Sequence, residues 1–360
     1  MKRGYVLLLA LVIICTTSFA QQQTEKPTSA KNVILLIGDG MGVSQIYAGM
    51  TANKGHLNLE RFHHIGFSKT YSADDFITDS GAGGTALSSG YKTFNHAIGV
   101  DTDSIAHQTI LEIADKYGKA TGLVATSEIT HATPASFIAH VPDRNDYETI
   151  ATYFLETDID VFIGGGYKYF ANRSDGINLI TDLENKNYQI CTSVDQLQGV
   201  NSGKLAGLIY DDKPPRVTKG RGDMLLTATQ KAIEILDQSE NGFFLMIEGS
   251  QIDWGGHKNN TDYVVEEMVD FDKVIGFVLD YAAKNGNTLV IVTADHETGG
   301  MAIVKGDLAT GEVGAKFSTL GHTGVMVPVF AEGPGEEMFG GIYENTAIFD
   351  KMMLIFGFEK

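Results

Sequence analysis

The sequence has little cysteine, proline or tryptophan: 2, 7 and 1 residues of these types occur among its 360. Cys15 lies in an N-terminal stretch that we expect to be removed, which leaves Cys191 alone in the mature chain. No internal disulfide can then form, so oxidation does not stabilise the fold. Cys191 follows an apolar stretch and is predicted to be a small buried side chain, not a nucleophile.

Positive charge is also scarce, because 27 Lys and Arg residues face 45 Asp and Glu residues and the net charge is −18. Such a chain repels the phosphate backbone of nucleic acids, which argues against a nucleic-acid-binding function. It would equally repel a phosphorylated small molecule, unless cations were held at the binding site.

Long apolar runs are missing apart from residues 5–15, which are too few to span a bilayer as a helix. Lys2 and Arg3 precede this run, and Ser18-Phe19-Ala20 follows it with the spacing of a cleavage site. We therefore predict a signal peptide at residues 1–20, export to the periplasm or the medium, and no stable membrane insertion afterwards. A retained membrane anchor is the alternative.

After the signal, polar residues 21–31 are predicted to be a flexible lead-in. No linker rich in Pro, Gly or Ser divides the rest, so residues 32–360 are predicted to form a single catalytic domain.

Short apolar runs alternate with helical patterns along the chain. This alternation indicates crossover connections, and so an α/β fold whose mostly parallel central β-sheet has helices on both faces. The predicted strands are residues 32–37, 120–125, 161–163, 205–210, 243–247, 288–293 and 325–330, and the predicted helices are residues 108–116, 147–154, 223–238, 262–285 and 346–356.

Acidic, imidazole and hydroxyl side chains follow four of these strands. Because ligands of open parallel sheets collect at the carboxyl ends of the strands, we expect these side chains to meet at one edge of the sheet. They are Asp39, His131, Thr133, Glu248, Asp295 and His296.

Several of the acidic and imidazole residues have the spacing of metal ligands. Asp253 and His257 are four residues apart and share a face if that segment is helical. Asp39 follows the first strand in Gly-Asp-Gly-Met-Gly, where an acid would repel a phosphate unless it held a cation. Taken alone, each has a plainer interpretation: Asp39 as a helix cap, Asp253 and His257 as a surface turn, and His322 as a loop residue.

Ser80 is the candidate nucleophile, because small residues follow it and a helix beginning there would favour an alkoxide and a phosphoryl group. Activation by a metal ion is expected, since no histidine-based triad is evident nearby. Arg144 could clamp two phosphate oxygens. The alternatives are an N-cap at Asp79-Ser80 and a surface arginine.

The charges explain why these groups belong together. Four carboxylates and a phosphate dianion at close range would repel strongly without cations, and three divalent ions would balance them. The four carboxylates are those of Asp39, Glu248, Asp253 and Asp295.

Seven segments resemble the motifs of the alkaline phosphatase family, in family order. The similarity runs from about Asn32 to the C-terminus, and the segment around Ser80 is similar to the nucleophile signature at every defined position. The seven segments are residues 38–40, 77–85, 131–134, 248–249, 253–257, 295–300 and 321–322.

This resemblance implies an alkaline phosphatase that hydrolyses a broad range of phosphate monoesters through a phosphoserine at Ser80. Arg144, steadied by Asp79, would grip the phosphoryl oxygens. Two zinc ions and one magnesium ion are implied. Their ligands would be Asp253, His257 and His322 for one zinc ion, Asp39, Asp295 and His296 for the other, and Asp39, Thr133 and Glu248 for magnesium.

Two substrate-positioning residues set this chain apart from other members. His131 stands where some members have aspartate, and Trp254 where others have lysine or histidine, a pairing similar to that of certain short bacterial members. It leaves open whether the third site takes magnesium or zinc. Few residues separate His296 from His322, so the crown insertion of larger members is expected to be small or reduced. A homodimer is implied.

Two rival functions stay open at this point. One is another metal-dependent hydrolase of the same superfamily, such as a phosphodiesterase or a sulfatase, although no formylglycine motif surrounds Ser80. The other is a non-catalytic metal- or phosphate-binding protein.

Overall fold

A computed structural model describes residues 29–359 of the chain. The predicted signal peptide, Cys15 and most of the lead-in lie outside the described residues. Within that range, no helix combines the length and the apolar character needed to cross a bilayer.

Fourteen strands and twelve helices are named here in chain order. The strands are β1 Asn32–Gly38, β2 His64–Lys69, β3 Ala120–Glu128, β4 Val161–Gly165, β5 Gln189–Cys191, β6 Leu205–Tyr210, β7 Phe243–Gly249, β8 Thr288–Thr293, β9 Glu297–Thr298, β10 Met301–Asp307, β11 Glu312–Phe317, β12 His322–Thr323, β13 Val327–Glu332 and β14 Gly341–Glu344. The helices are α1 Val43–Ala52, α2 Ser80–Ser89, α3 Ile110–Lys116, α4 Ala132–Ala135, α5 Tyr147–Glu156, α6 Tyr167–Ala171, α7 Leu179–Asn185, α8 Val194–Leu197, α9 Met224–Leu236, α10 Gln251–His257, α11 Thr261–Asn285 and α12 Thr346–Phe356, with 3₁₀ turns at Asn58–Arg61, Val217–Lys219 and Glu336–Phe339.

Ten strands form one sheet in the order β14-β2-β13-β8-β1-β7-β3-β4-β6-β5. Seven of its nine pairings are parallel, and the two antiparallel ones both involve β13. The predicted α/β fold with a mostly parallel sheet is therefore confirmed. The β5 edge strand ends at Cys191, which is buried and free, as predicted.

The central strand β1 shows why the sheet is covered on both sides. Val33, Leu35 and Ile37 point into one apolar cluster, which α3, α5 and α12 help to cover. Ile34 and Leu36 point into a second cluster, which α9 and α11 help to cover. Alternate residues of a strand face opposite sides of a sheet, so an unbroken apolar run requires helices on both faces.

A two-stranded hairpin occupies most of the segment between His296 and His322. Its strands β10 and β11 pair antiparallel, and most of their side chains are exposed. The expected reduction of the crown insertion is thus seen as a single hairpin.

Candidate active site

Ser80 is the first residue of α2, at the positive end of the helix dipole. Its side chain is buried, and its Oγ lies 3.2 Å from Nε2 of His296. Asp79 caps the helix by accepting a hydrogen bond from the Ala82 N–H at 2.9 Å. A side chain at Gly83 would lie only 3.1 Å from Cβ of Asp295, so glycine lets the helix approach the acidic edge of the sheet. The N-cap of α2 is therefore Asp79, and Ser80 is not a capping residue.

Two imidazoles face each other across the cleft beside Asp253. Nδ1 of His257 donates to the Leu320 carbonyl at 2.5 Å, and Nδ1 of His322 donates to the Thr78 carbonyl at 2.8 Å. Because a carbonyl can only accept, each Nδ1 carries a proton, so in the neutral rings both Nε2 atoms present lone pairs, and these atoms lie 3.1 Å apart. Oδ1 of Asp253 lies 3.3 Å and 3.6 Å from them. Two converging lone pairs and a carboxylate are a donor set for a cation.

A second donor group surrounds His296. Its Nδ1 lies 3.2 Å from Oγ1 of Thr298, which donates its own proton to Asp253 and therefore accepts from the imidazole. Nε2 is left unprotonated, 3.5 Å from Oδ1 of Asp39 and 3.3 Å from Oδ2 of Asp295. The ligand atoms of His296, Asp39 and Asp295 lie within 4.8 Å of one another.

Asp39 belongs to a third group as well, with Glu248 and His131. Ser127 and Ser250 donate to Oε2 of Glu248 at 3.1 Å and 2.6 Å. By contrast, both oxygens of Asp39, Oε1 of Glu248 and Nδ1 of His131 have no hydrogen-bond partner within residues 29–359. Buried oxygens of this kind fit a cation, because an unsatisfied buried polar group is costly.

Thr133 is fully buried on α4, beside Glu248. The predicted third set of Asp39, Thr133 and Glu248 is thus brought together. His131, predicted to position substrate, lies among the same groups as a further donor.

Burial dominates the ionisation of these groups. It raises the pKa of Glu248 to about 7 and that of Asp295 to about 6. Burial, with the negative charges of neighbouring carboxylates, also raises the pKa of Asp39. It lowers the pKa of His131 to about 3 and the pKa of His296 well below its ordinary value. Neutral imidazoles and carboxyls that resist ionisation are suited to a site whose charge is completed by cations.

Arg144 and Asp79 form an ion pair above Ser80, with Nη1 of Arg144 2.7 Å from Oδ2 of Asp79. The main chain of His96 bridges the pair: its N–H donates to Asp79 at 3.1 Å, and its carbonyl accepts from the Arg144 N–H at 2.7 Å. His96 has φ +75°, a strained conformation for a residue with a side chain. Arg144 is thereby held both at its guanidinium group and at its main chain.

Arg144, Asp79 and Ser80 line a cleft of about 410 Å³. Trp254 lines it, with its ring edge-on to His131 at a centroid distance of 6.2 Å. The lining residues are Asp79, Ser80, His96, His131, Arg144, Asn145, Tyr147, Asp253, Trp254, His257 and His322.

Sequence reasoning missed Thr298 and His96. Thr298 stands in the Asp-His-Glu-Thr-Gly-Gly segment, but nothing in its identity indicates a hydroxyl shared between His296 and Asp253. His96 gives no signal in the sequence, because its role depends on a backbone angle and on main-chain hydrogen bonds.

Comparisons with known proteins agree with this site. A family model described as alkaline phosphatase matches residues 30–317. Alkaline phosphatase 3 of Bacillus subtilis is 36% identical over 404 positions, which cover 88% of this chain and 87% of that protein. The solved alkaline phosphatase of the Antarctic bacterium TAB5 is 46% identical with a TM-score of 0.88, covering 93% of this chain and 100% of that one. A solved variant of the TAB5 enzyme, with aspartate in place of a histidine and magnesium bound in its M3 site, has a TM-score of 0.89, 45% identity and the same coverage. The chain therefore belongs to the alkaline phosphatase family of enzymes.

Proposed function

We propose that this protein hydrolyses phosphate monoesters through a covalent phosphoserine at Ser80, with two zinc ions and one magnesium ion. The observation that carries the proposal is the position of the Ser80 hydroxyl: it is buried at a helix N-terminus, 3.2 Å from His296 and below the Arg144–Asp79 pair. The site residues are those predicted from the sequence.

The three donor groups would hold the ions. Asp253, His257 and His322 fit one zinc ion, since carboxylate and neutral imidazole are zinc ligands. A second set, Asp39, Asp295 and His296, fits the other zinc ion for the same reason. When bound, these cations supply Lewis acidity, which lowers the pKa of a hydroxyl or water and neutralises phosphoryl charge.

The third ion is proposed to be magnesium, held by Asp39, Thr133 and Glu248. His131 makes this set more favourable to zinc than an all-oxygen set would be. The TAB5 variant in which a histidine becomes aspartate has magnesium in its M3 site, which is consistent with oxygen ligands favouring magnesium. Metal analysis of the purified protein decides between the two ions.

The residues of the chain have defined roles in two displacements. Oγ of Ser80 forms a bond to phosphorus as the ester bond breaks and the leaving oxygen departs with a proton. Water then attacks the same phosphorus, the Oγ–phosphorus bond breaks, and Ser80 regains its hydroxyl proton. Arg144 holds two phosphoryl oxygens throughout, because its pairing with Asp79 orients the guanidinium plane. Trp254 and His131 enclose the cleft and position the substrate.

Export, a periplasmic or secreted location and a homodimer are part of the proposal. The basic and apolar N-terminal sequence supports export. Exposed apolar side chains beside the site support a contact with a second copy. They include Phe76, Leu320, Val325 and Met326.

Comparison of three esters with the same leaving group tests the reaction. p-Nitrophenyl phosphate is expected to be cleaved about a hundredfold or more faster than bis-p-nitrophenyl phosphate or p-nitrophenyl sulfate, because Arg144 is placed to clamp two charged oxygens. The measurement is kcat/KM for each ester. A preference for the diester would overturn the proposal in favour of a phosphodiesterase.

Replacement of Thr298 by valine tests the shared hydroxyl. Thr298→Val keeps the shape of the side chain but removes the donor to Asp253 and the acceptor for His296. We expect the zinc concentration for half-maximal reactivation of metal-free protein to rise about ten- to a hundredfold. Thr152→Val is the matched control, because its hydroxyl donates to Thr149 within α5. Equal zinc requirements in the two variants would show that Thr298 does not orient the ligands.

A further inference from the structure

Lys213 lies at the rim of the active-site cleft. Its Nζ is 4.9 Å from the centroid of the Trp254 ring, close enough for a cation–π interaction. Trp254 lines the cleft together with Ser80 and Arg144, whereas Lys213 stands outside that lining. The ammonium group is therefore placed next to Trp254, outside the residues that line the cleft.

The backbone on either side of Lys213 is anchored. The carbonyl of Asp212 accepts from the Gly166 N–H at 3.0 Å, and the carbonyl of Pro214 accepts from Nε2 of Gln251 at 3.0 Å. Pro214 itself is buried, and Pro215 follows it. Lys213 is exposed between these fixed points, so its side chain projects from a rigid base.

The charge of Lys213 is not neutralised by a close partner. Among residues 29–359, no carboxylate oxygen lies within 4.0 Å of its Nζ, whereas nearby Lys168 pairs with Asp212 at 2.8 Å. Asp212 pairs with Lys168 and also interacts with Glu128, and the charge of Lys213 acts on Glu128 only as a weaker, longer-range effect. In a chain of net charge −18, an exposed cation without a salt bridge beside the active-site cleft is a local exception.

We propose that Lys213 is a specificity-determining residue that contacts an anionic group on the leaving group of the substrate. The preferred substrates are then monoesters with a second negative charge, a carboxylate or a further phosphate, on the departing alcohol. Trp254 supplies an apolar surface for the body of that group and holds the ammonium over its ring. This inference rests on the proposed monoesterase function and adds a substrate class to it.

A pair of esters that differ in one charge tests the proposal. The readout is the ratio of kcat/KM for 4-carboxyphenyl phosphate to kcat/KM for phenyl phosphate, measured at low ionic strength. In Lys213→Met the ratio is expected to fall about three- to fivefold, the size of an exposed ion pair, while Lys213→Arg restores it. The difference in leaving-group reactivity cancels when each variant is compared with the wild type. In 1 M salt the effect should vanish.

Lys168→Met is the matched control, because Lys168 lies on the same side of the cleft but is already paired with Asp212. A ratio that is unchanged in Lys213→Met, or that falls equally in Lys168→Met, would overturn the proposal. An equal loss on both esters would also overturn it, since Lys213 would then act on the phosphoryl group or on Trp254. If the wild type does not cleave phenyl phosphate at all, the proposed monoesterase function fails instead.

Discussion

Replacement of Ser80 by alanine is expected to lower kcat on p-nitrophenyl phosphate by about 10⁴-fold or more. Oγ of Ser80 is the atom that would carry the phosphoryl group, and the helix N-terminus and His296 beside it cannot replace that bond. Acid quenching of the wild type during turnover should trap phosphate covalently on Ser80, and mass spectrometry of the peptide detects it.

A second serine on the same helix provides the control. Ser89 donates to the Thr85 carbonyl at 2.8 Å within α2, so Ser89→Ala is expected to keep its turnover. A protein that only binds phosphate would bind it in Ser80→Ala as in the wild type, whereas an enzyme should lose most of its turnover in this variant. Turnover within about tenfold of the wild type in Ser80→Ala would eliminate the phosphoserine and favour direct attack by water.

Removal of the metal ions is expected to abolish activity and to leave three buried carboxyl groups whose contribution to folding stability is lost as pH rises from about 4 to 7. In the metal-free protein, burial raises the pKa of Glu248 from 4.5 to about 7 and that of Asp295 from 3.8 to about 6, and raises that of Asp39. At these three groups the folded state binds more protons than the unfolded state across this window, so their contribution to stability decreases with pH and stays low above it. The lowered pKa values of His131 and His296 act in the opposite direction. Each pKa unit corresponds to about 1.4 kcal/mol, so the loss is on the order of a few kcal/mol.

Urea unfolding of chelated protein at several pH values measures this dependence. Zinc and magnesium added back should restore stability most at alkaline pH, because the cations favour ionised carboxylates. In Glu248→Gln, which cannot ionise at that position, the chelated protein should lose less stability between pH 5 and pH 8 than the chelated wild type. Equal losses of stability between pH 5 and pH 8 in chelated Glu248→Gln and in the chelated wild type would be the opposite result.

The central strands and the site residues could be predicted from the sequence for the same physical reason. Strands buried on both faces must be apolar throughout, so β6 and β8 were predicted with their observed ends, and β1 with one residue missing. Where such a run stops, polar residues begin, and parallel topology brings them to one edge. Predictions from β1, β3, β7 and β8 therefore placed Asp39, Thr133, Glu248 and Asp295 together.

The outer strands could not be predicted in this way. β2 mixes buried and exposed positions, β5 has three residues, and β14 pairs with β2 alone, so none shows a clear apolar period. The predicted strand at residues 325–330 begins two residues too early, because Val325 and Met326 are exposed and β13 starts at Val327. No local sequence pattern indicates the antiparallel direction of β13 or the positive φ of His96.

The way the imidazoles are oriented bears on how this site tolerates sequence change. His257 and His322 are held by carbonyl oxygens of Leu320 and Thr78, atoms that every amino acid at those positions would provide. Substitutions at Leu320 and Thr78 can therefore leave the hydrogen bonds of both imidazole rings unchanged. His296 alone among the three depends on a side-chain hydroxyl, that of Thr298, which one codon change can delete. The orientation of His257 and His322 is thus tolerant of substitution at the residues that hold them, whereas that of His296 is not.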